Sequence, residues 1–145
     1  GLERDLTSLS PEDLRALKNW ISLYKSKRAL LHSGDVVRID YPNEAHYLHG
    51  VVAQDKSEAL FSYVQLRPIV TSHAPKISIR GLKPSSMYRI RVIHSAGRAE
   101  FMSITPPPWL ESGAVMTGSE LENVGLPAPI LRPENALLLE IVQAK

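Results

Sequence analysis

The side chains in this sequence that could do chemistry are scattered, so their spacing decides which reactions they could support. Asp35, Asp40, Glu44, Asp55 and Glu58 fall in or beside stretches that read as turns. Hydrolysis of a glycoside needs two carboxyl groups facing each other across a sugar, about 5–9 Å apart. Nothing in the spacing of these five acids selects such a pair, and they read as solvated loop acids. The histidines are His32, His46, His49, His73 and His94. His46 and His49 lie three apart on an expected strand, so their rings point to opposite faces, a poor arrangement for sharing a metal. Cysteine and the HExxH pattern are both absent, so no metal and no cofactor are expected. No G-x-S-x-G elbow surrounds any serine. "HSG" at His32–Gly34 and "HSAG" at His94–Gly97 match no catalytic pattern, and the second reads as a hairpin turn. The glycines are isolated, so no phosphate loop is expected.

Two binding chemistries remain. Arg80, Arg89 and Arg91 could form a basic face for nucleic acid, with Tyr63 or Tyr88 stacking on bases. However, Tyr88 alternates with Ile90 and Val92, which places it in the core. The 15 acidic residues nearly balance the 17 basic ones, and a net charge of +2 does not argue for a nucleic-acid or membrane partner. Trp109 follows Pro106, Pro107 and Pro108, which would hold it rigidly. It is the candidate sugar platform; the competing role is to plug the end of a sandwich or fill a domain interface. Trp20 reads as a packing residue.

The elements that must position these groups are legible from periodicity. Ser10 can cap a helix, Pro11 suits its first position and Asp13 completes a Ser-x-x-Asp box, with Leu9 and Leu14 flanking the cap as a staple. The helix should run to about Leu30, with Gly34 ending it in a left-handed conformation. Leu14, Leu17, Ile21, Tyr24 and Leu31 share one side. Ala16, Trp20, Leu23 and Leu30 widen it to an arc of about 200°, where a surface helix needs about 100°. A helix of this kind asks to be covered from two directions.

From Asp35 the period changes to 2. Strands are expected at Val36–Asp40, Tyr47–Ala53, Ala59–Leu66, Lys76–Arg80, Met87–His94, Ala99–Ile104 and Ala136–Val142. Gly113–Pro133 reads as irregular, with "GLPAPIL" as an arm or broken strand. With no helices between the strands, the expected fold is all-β: an antiparallel β-sandwich of about eight strands preceded by one long N-terminal α-helix. Residues 1–33 form the lead-in and helix, and residues 34–145 the sandwich. The N-terminus lacks the basic start and hydrophobic centre of a signal peptide, and no apolar run could cross a bilayer. The expected location is the cytoplasm, unless a targeting segment lies outside this chain.

"WISLYKSKRALLHSGDVVRID", "HGVVAQDKSEALFSYVQL", "IRGLKPSSMYRIRVI" and "SGAVMTGSELENVGLPAPILRPENALLLEI" follow one another in an order that resembles the C-terminal end of the α-galactosidases of glycoside hydrolase family 36. The resemblance implies that Ser10–Leu31 is the last helix of a (β/α)₈ catalytic barrel and that Asp35–Lys145 is the C-terminal sandwich. It implies a parent that hydrolyses terminal α-D-galactosides, of the melibiose or raffinose type, by a retaining two-aspartate mechanism. The aspartates lie on barrel strands before this chain, so no catalytic residue carries over. Structural or interface roles carry over to Trp20, Tyr24, Lys25, Arg28, Gly81, Leu82 and Tyr88, among others. Gly81 would permit a bend where a side chain would clash, and Leu82 and Tyr88 would tuck a loop onto the core through a tyrosine corner. Lys25 and Arg28 would pair with barrel acids. The implied partner is the missing barrel, with self-association through the helix left open. The alternatives are a carbohydrate-binding module using Trp109 and a protein-interaction sandwich.

Overall fold

The computed structural model describes residues 5–42, 44–69, 75–93, 99–103 and 105–144. A short 3₁₀ turn, Leu6–Ser8, leads into helix α1, Pro11–Ser33. The helix begins as its residues dictate. The Asp13 backbone N–H donates to Ser10 Oγ at 3.1 Å, and Pro11 occupies a first-turn position where no backbone donor is needed. At its far end the Gly34 N–H donates to the Leu30 carbonyl at 2.9 Å. Gly34 is not left-handed, as the sequence suggested: its φ of −81° and ψ of 166° are extended. Space demands the glycine instead. A Cβ there would lie 2.4 Å from Val51 Cγ1 and 2.7 and 2.8 Å from the Val52 and Leu30 carbonyl oxygens.

The rest is the antiparallel sandwich. Strands β1 (Asp35–Ile39), β2 (His46–Val52), β3 (Glu58–Gln65), β5 (Met87–Ile93), β6 (Ala114–Thr117) and β8 (Asn135–Gln143) form one sheet in the order β1-β2-β3-β8-β5-β6. Strands β4 (Lys76–Ile77) and β7 (Leu126–Pro127) pair as a second, two-stranded sheet. Among the described residues, eight strands behind one long helix match the architecture expected. The inner face of the large sheet follows from period-2 alternation. Leu48, Phe61, Tyr63, Tyr88, Ile90, Leu139 and Ile141 are all completely buried and join Ile77, Ile79 and Leu126 of the second layer in one core.

Several details differ from the sequence reading. Of the strand expected at Ala99–Ile104, the described residues 99–103 form none: Phe101 makes one isolated bridge to Leu131, flanked by exposed Glu100 and Met102, and Ile104 lies outside the described residues. The stretch read as irregular holds β6, the short helix α3 (Gly118–Asn123) and β7, and another short helix, α2 (Trp109–Ser112), precedes it. The breakers mark boundaries between these brief elements. They do not make the segment formless. Thr117 and Glu120 form a reciprocal capping box on α3, a signal present in the sequence and not read there. His73 and His94, with the proposed "HSAG" turn, lie outside the described residues.

Candidate functional site

The strongest concentration of charge lies where α1 meets the outer face of the large sheet. Leu60 of β3 and Arg91 of β5 are the register partners of Glu140 on β8, so the three form one row across neighbouring strands. Glu140 interrupts the apolar run Ala136–Val142 and points away from the core. α1 crosses this face with Lys27, whose Nζ sits 2.7 Å from Glu58 Oε2 and 2.8 Å from Glu140 Oε1. Arg91 Nε donates to the other oxygen of Glu140. The side chain of Glu140 is only 9% exposed, and that of Lys27 13%. A carboxylate this covered persists because cations take both its oxygens; left alone it would cost several kcal/mol.

The electrostatics follow. Burial pushes the Glu140 carboxyl up, but the hydrogen bonds and charges of Lys27 and Arg91 outweigh it, and the net shift is downward. Burial likewise pulls the Lys27 ammonium down, and Glu140 and Glu58 more than reverse that, so it stays charged. A retaining glycosidase also sets two carboxylates against each other, with a sugar between them. Here the ammonium fills the space a sugar would need. A general acid also needs a raised pKa, and that of Glu140 is lowered. The arrangement can hold two elements together; it is not built to move a proton.

The other acids weighed above each have a partner. Asp35 pairs with Lys56 at 2.9 Å, Asp40 with Arg38 at 2.8 Å and Glu44 with Arg67 at 3.3 Å, while Asp55 accepts from the Ser57 N–H. Of the histidines, His46 is buried and stacked on Tyr63, with ring centroids 5.6 Å apart, and His49 is exposed on the opposite face of β2. His32 Nε2 lies 3.0 Å from the Tyr24 hydroxyl. Among the described residues no group of three or more potential ligands could hold a metal ion. Tyr63 and Tyr88 are buried, so neither can stack on a base.

Trp109 departs from the role of sugar platform. It is 7% exposed, belongs to the core and donates from Nε1 to the Pro127 carbonyl at 2.9 Å. The three prolines aim it inward as the first residue of α2, so no ring face is left for a sugar. Trp20 and Tyr24 are 46% and 44% exposed on α1, and Arg28 lies 5.3 Å above the Tyr24 ring. Lys25 is exposed and, among the described residues, has no carboxylate partner. Gly81 needs its glycine for its φ of +88°; a Cβ there would meet only ordinary contacts at 3.5 and 3.7 Å, so the clash expected from the sequence is absent. Leu82 is buried, and the Tyr88 hydroxyl donates to the Lys56 carbonyl at 2.8 Å and accepts from the Lys83 N–H at 3.1 Å. Sequence reasoning missed Lys27 and Glu140. The signal was a lone acid inside the apolar run "ALLLEIV".

The glycosyl hydrolase family 36 C-terminal domain matches residues 46–136. An α-galactosidase of Escherichia coli is 30% identical over 149 residues, an alignment covering 99% of this chain and 21% of that protein. The α-galactosidase AgaA of Geobacillus stearothermophilus is 29% identical over 105 residues, covering 70% of this chain and 14% of its own length. The chain thus spans about a fifth or less of these relatives. The crystal structure of the α-galactosidase from Lactobacillus brevis superposes with a TM-score of 0.77 at 22% identity, covering 99% of this chain and 18% of that one. That of AgaA gives 0.75 at 21% identity. At such identities these likenesses speak for the fold.

Proposed function

The chain belongs to the C-terminal domain of glycosyl hydrolase family 36, and from that premise we propose that it is a non-catalytic support for an α-galactosidase barrel. In this reading residues 1–33 carry the last helix of a (β/α)₈ body and residues 34–145 form the sandwich that braces it. The parent hydrolyses terminal α-D-galactosides with retention, through a galactosyl-enzyme intermediate formed on one of two aspartates outside this chain.

One observation carries the reading. α1 is 23 residues long, yet Leu30 is its only buried residue, and Leu14, Trp20 and Tyr24 are 40–46% exposed. A helix with so much uncovered apolar surface is shaped to be covered by a larger body. The acids of this chain supply structure: Glu140 and Glu58 hold Lys27, and Asp35, Asp40 and Glu44 hold other cations. The chain by itself should release no 4-nitrophenol from 4-nitrophenyl α-D-galactoside above the blank. Turnover well above the blank, abolished by Glu140→Gln, would overturn the reading.

A further inference from the structure

We infer that Lys27, Glu58, Glu140 and Arg91 form an ionic joint that fixes the direction in which α1 leaves the sandwich, so that α1 has a docked state held by the cluster and a swung state that pivots at Gly34. The sandwich grips the last two turns of the helix directly. Leu30 is buried, the Ser33 carbonyl accepts from Gln54 Nε2 at 3.1 Å, and Lys27 reaches across two strands to Glu58 and Glu140. Beyond that point Trp20 and Leu14 stand uncovered. A gap of about 340 Å³, lined by Leu23, Ser26, Lys27, Arg91, Ile93 and Glu140 among others, opens between α1 and β5 beside the cluster. Leu30 anchors the helix by apolar packing, and beside the gap the hold is ionic, through one carboxylate with a cation on each oxygen.

Removing Lys27 would leave Glu140 with Arg91 alone, and Arg91 is 66% exposed. Water would enter the gap and satisfy Glu140, and α1 would lose its anchor on β8. The pivot is close at hand, because Gly34 joins α1 directly to β1. The consequence for a barrel carried on α1 rests on the function proposed above; the joint itself does not.

The test needs no sugar and no barrel, so its failure and the failure of that reading are separate. The chain has no cysteine, so Lys18→Cys and Ser85→Cys, both exposed, can be spin-labelled cleanly. A swing of about 20° moves Lys18, about 24 Å from Gly34 along the helix, by about 8 Å. Pulsed electron–electron resonance should give one narrow distance distribution for the parent sequence. Lys27→Met and Glu140→Gln should each broaden it or shift it by several ångströms, and Lys27→Arg should restore most of the narrow peak. Circular dichroism of the strands should stay unchanged in Lys27→Met, whose side chain lies on α1. A distribution as narrow in Lys27→Met as in the parent would overturn the joint. So would loss of the strand signal in that variant, because the cluster would then belong to the sandwich core.

Discussion

Tyr88→Phe isolates the contribution of a single hydroxyl. The ring of Tyr88 is completely buried and would pack unchanged as phenylalanine. The hydroxyl ties a distant turn and the loop just before β5 to that strand: it donates to the Lys56 carbonyl at 2.8 Å and accepts from the Lys83 N–H at 3.1 Å. Lys56 has a φ of +63°, so its turn is held in a conformation that a side-chain-bearing residue adopts at a cost. Each hydrogen bond is worth about 1 kcal/mol net, and more where the stranded partner stays out of water. Both sites are partly reached by solvent, so the sum stays near about 2 kcal/mol. For a chain of 145 residues that lowers Tm by roughly 6–7 °C. Urea titration should show the midpoint falling with the slope unchanged. Hydrogen exchange should show the Lys83 amide losing protection before those of β3 and β8. A loss below about 0.5 kcal/mol, on the scale of a neutral surface change, would refute the reasoning.

Two further perturbations follow from burial. Trp109→Ala should cost about 3–5 kcal/mol by thermal or urea unfolding and leave titrations with galactosides flat, as for the parent sequence; saturable sugar binding lost with the indole would reverse the placement of Trp109. Burial lowers the pKa of His46, so the folded state favours its neutral ring. Its contribution is fully present above the unfolded value of about 6.5 and is lost as pH falls through that value towards the lower folded one. His46→Phe should therefore flatten the stability profile between about pH 7 and pH 5; an unchanged slope would count against it.

How far the sequence carries depends on the range of the signal. Helix α1 and strands β2, β3, β5 and β8 were legible because each carries its own period, as in the alternation of Tyr88 and Ile90 with Arg89 and Arg91. The segment from Ala114 to Pro127 was not, because four-, six- and two-residue elements are too short to show a period. Gly34 and Gly81 were both recognised as necessary, for exchanged reasons. Crowding by Val51 demands the first and backbone handedness the second, and a sequence displays neither. Lys27 and Glu140 are more than a hundred positions apart, and only the placement of α1 over β8 brings them together. Trp20 on α1 illustrates the reverse: the sequence announced its apolar surface, and the sandwich leaves it exposed.

Strand β8 lies between β3 and β5 although it is the last strand in the chain. During synthesis, the chain up to Glu134 can offer the large sheet only as a β1-β2-β3 meander and a β5-β6 pair, each with a bare edge facing the other. The two halves have no hydrogen-bonded ladder in common until residues 135–143 arrive. A ribosome that stalls or terminates early would leave two sticky borders open to neighbouring chains. Completion of the large sheet therefore waits on residues 135–143, and a deletion within them should be far more harmful than one of equal length at the lead-in.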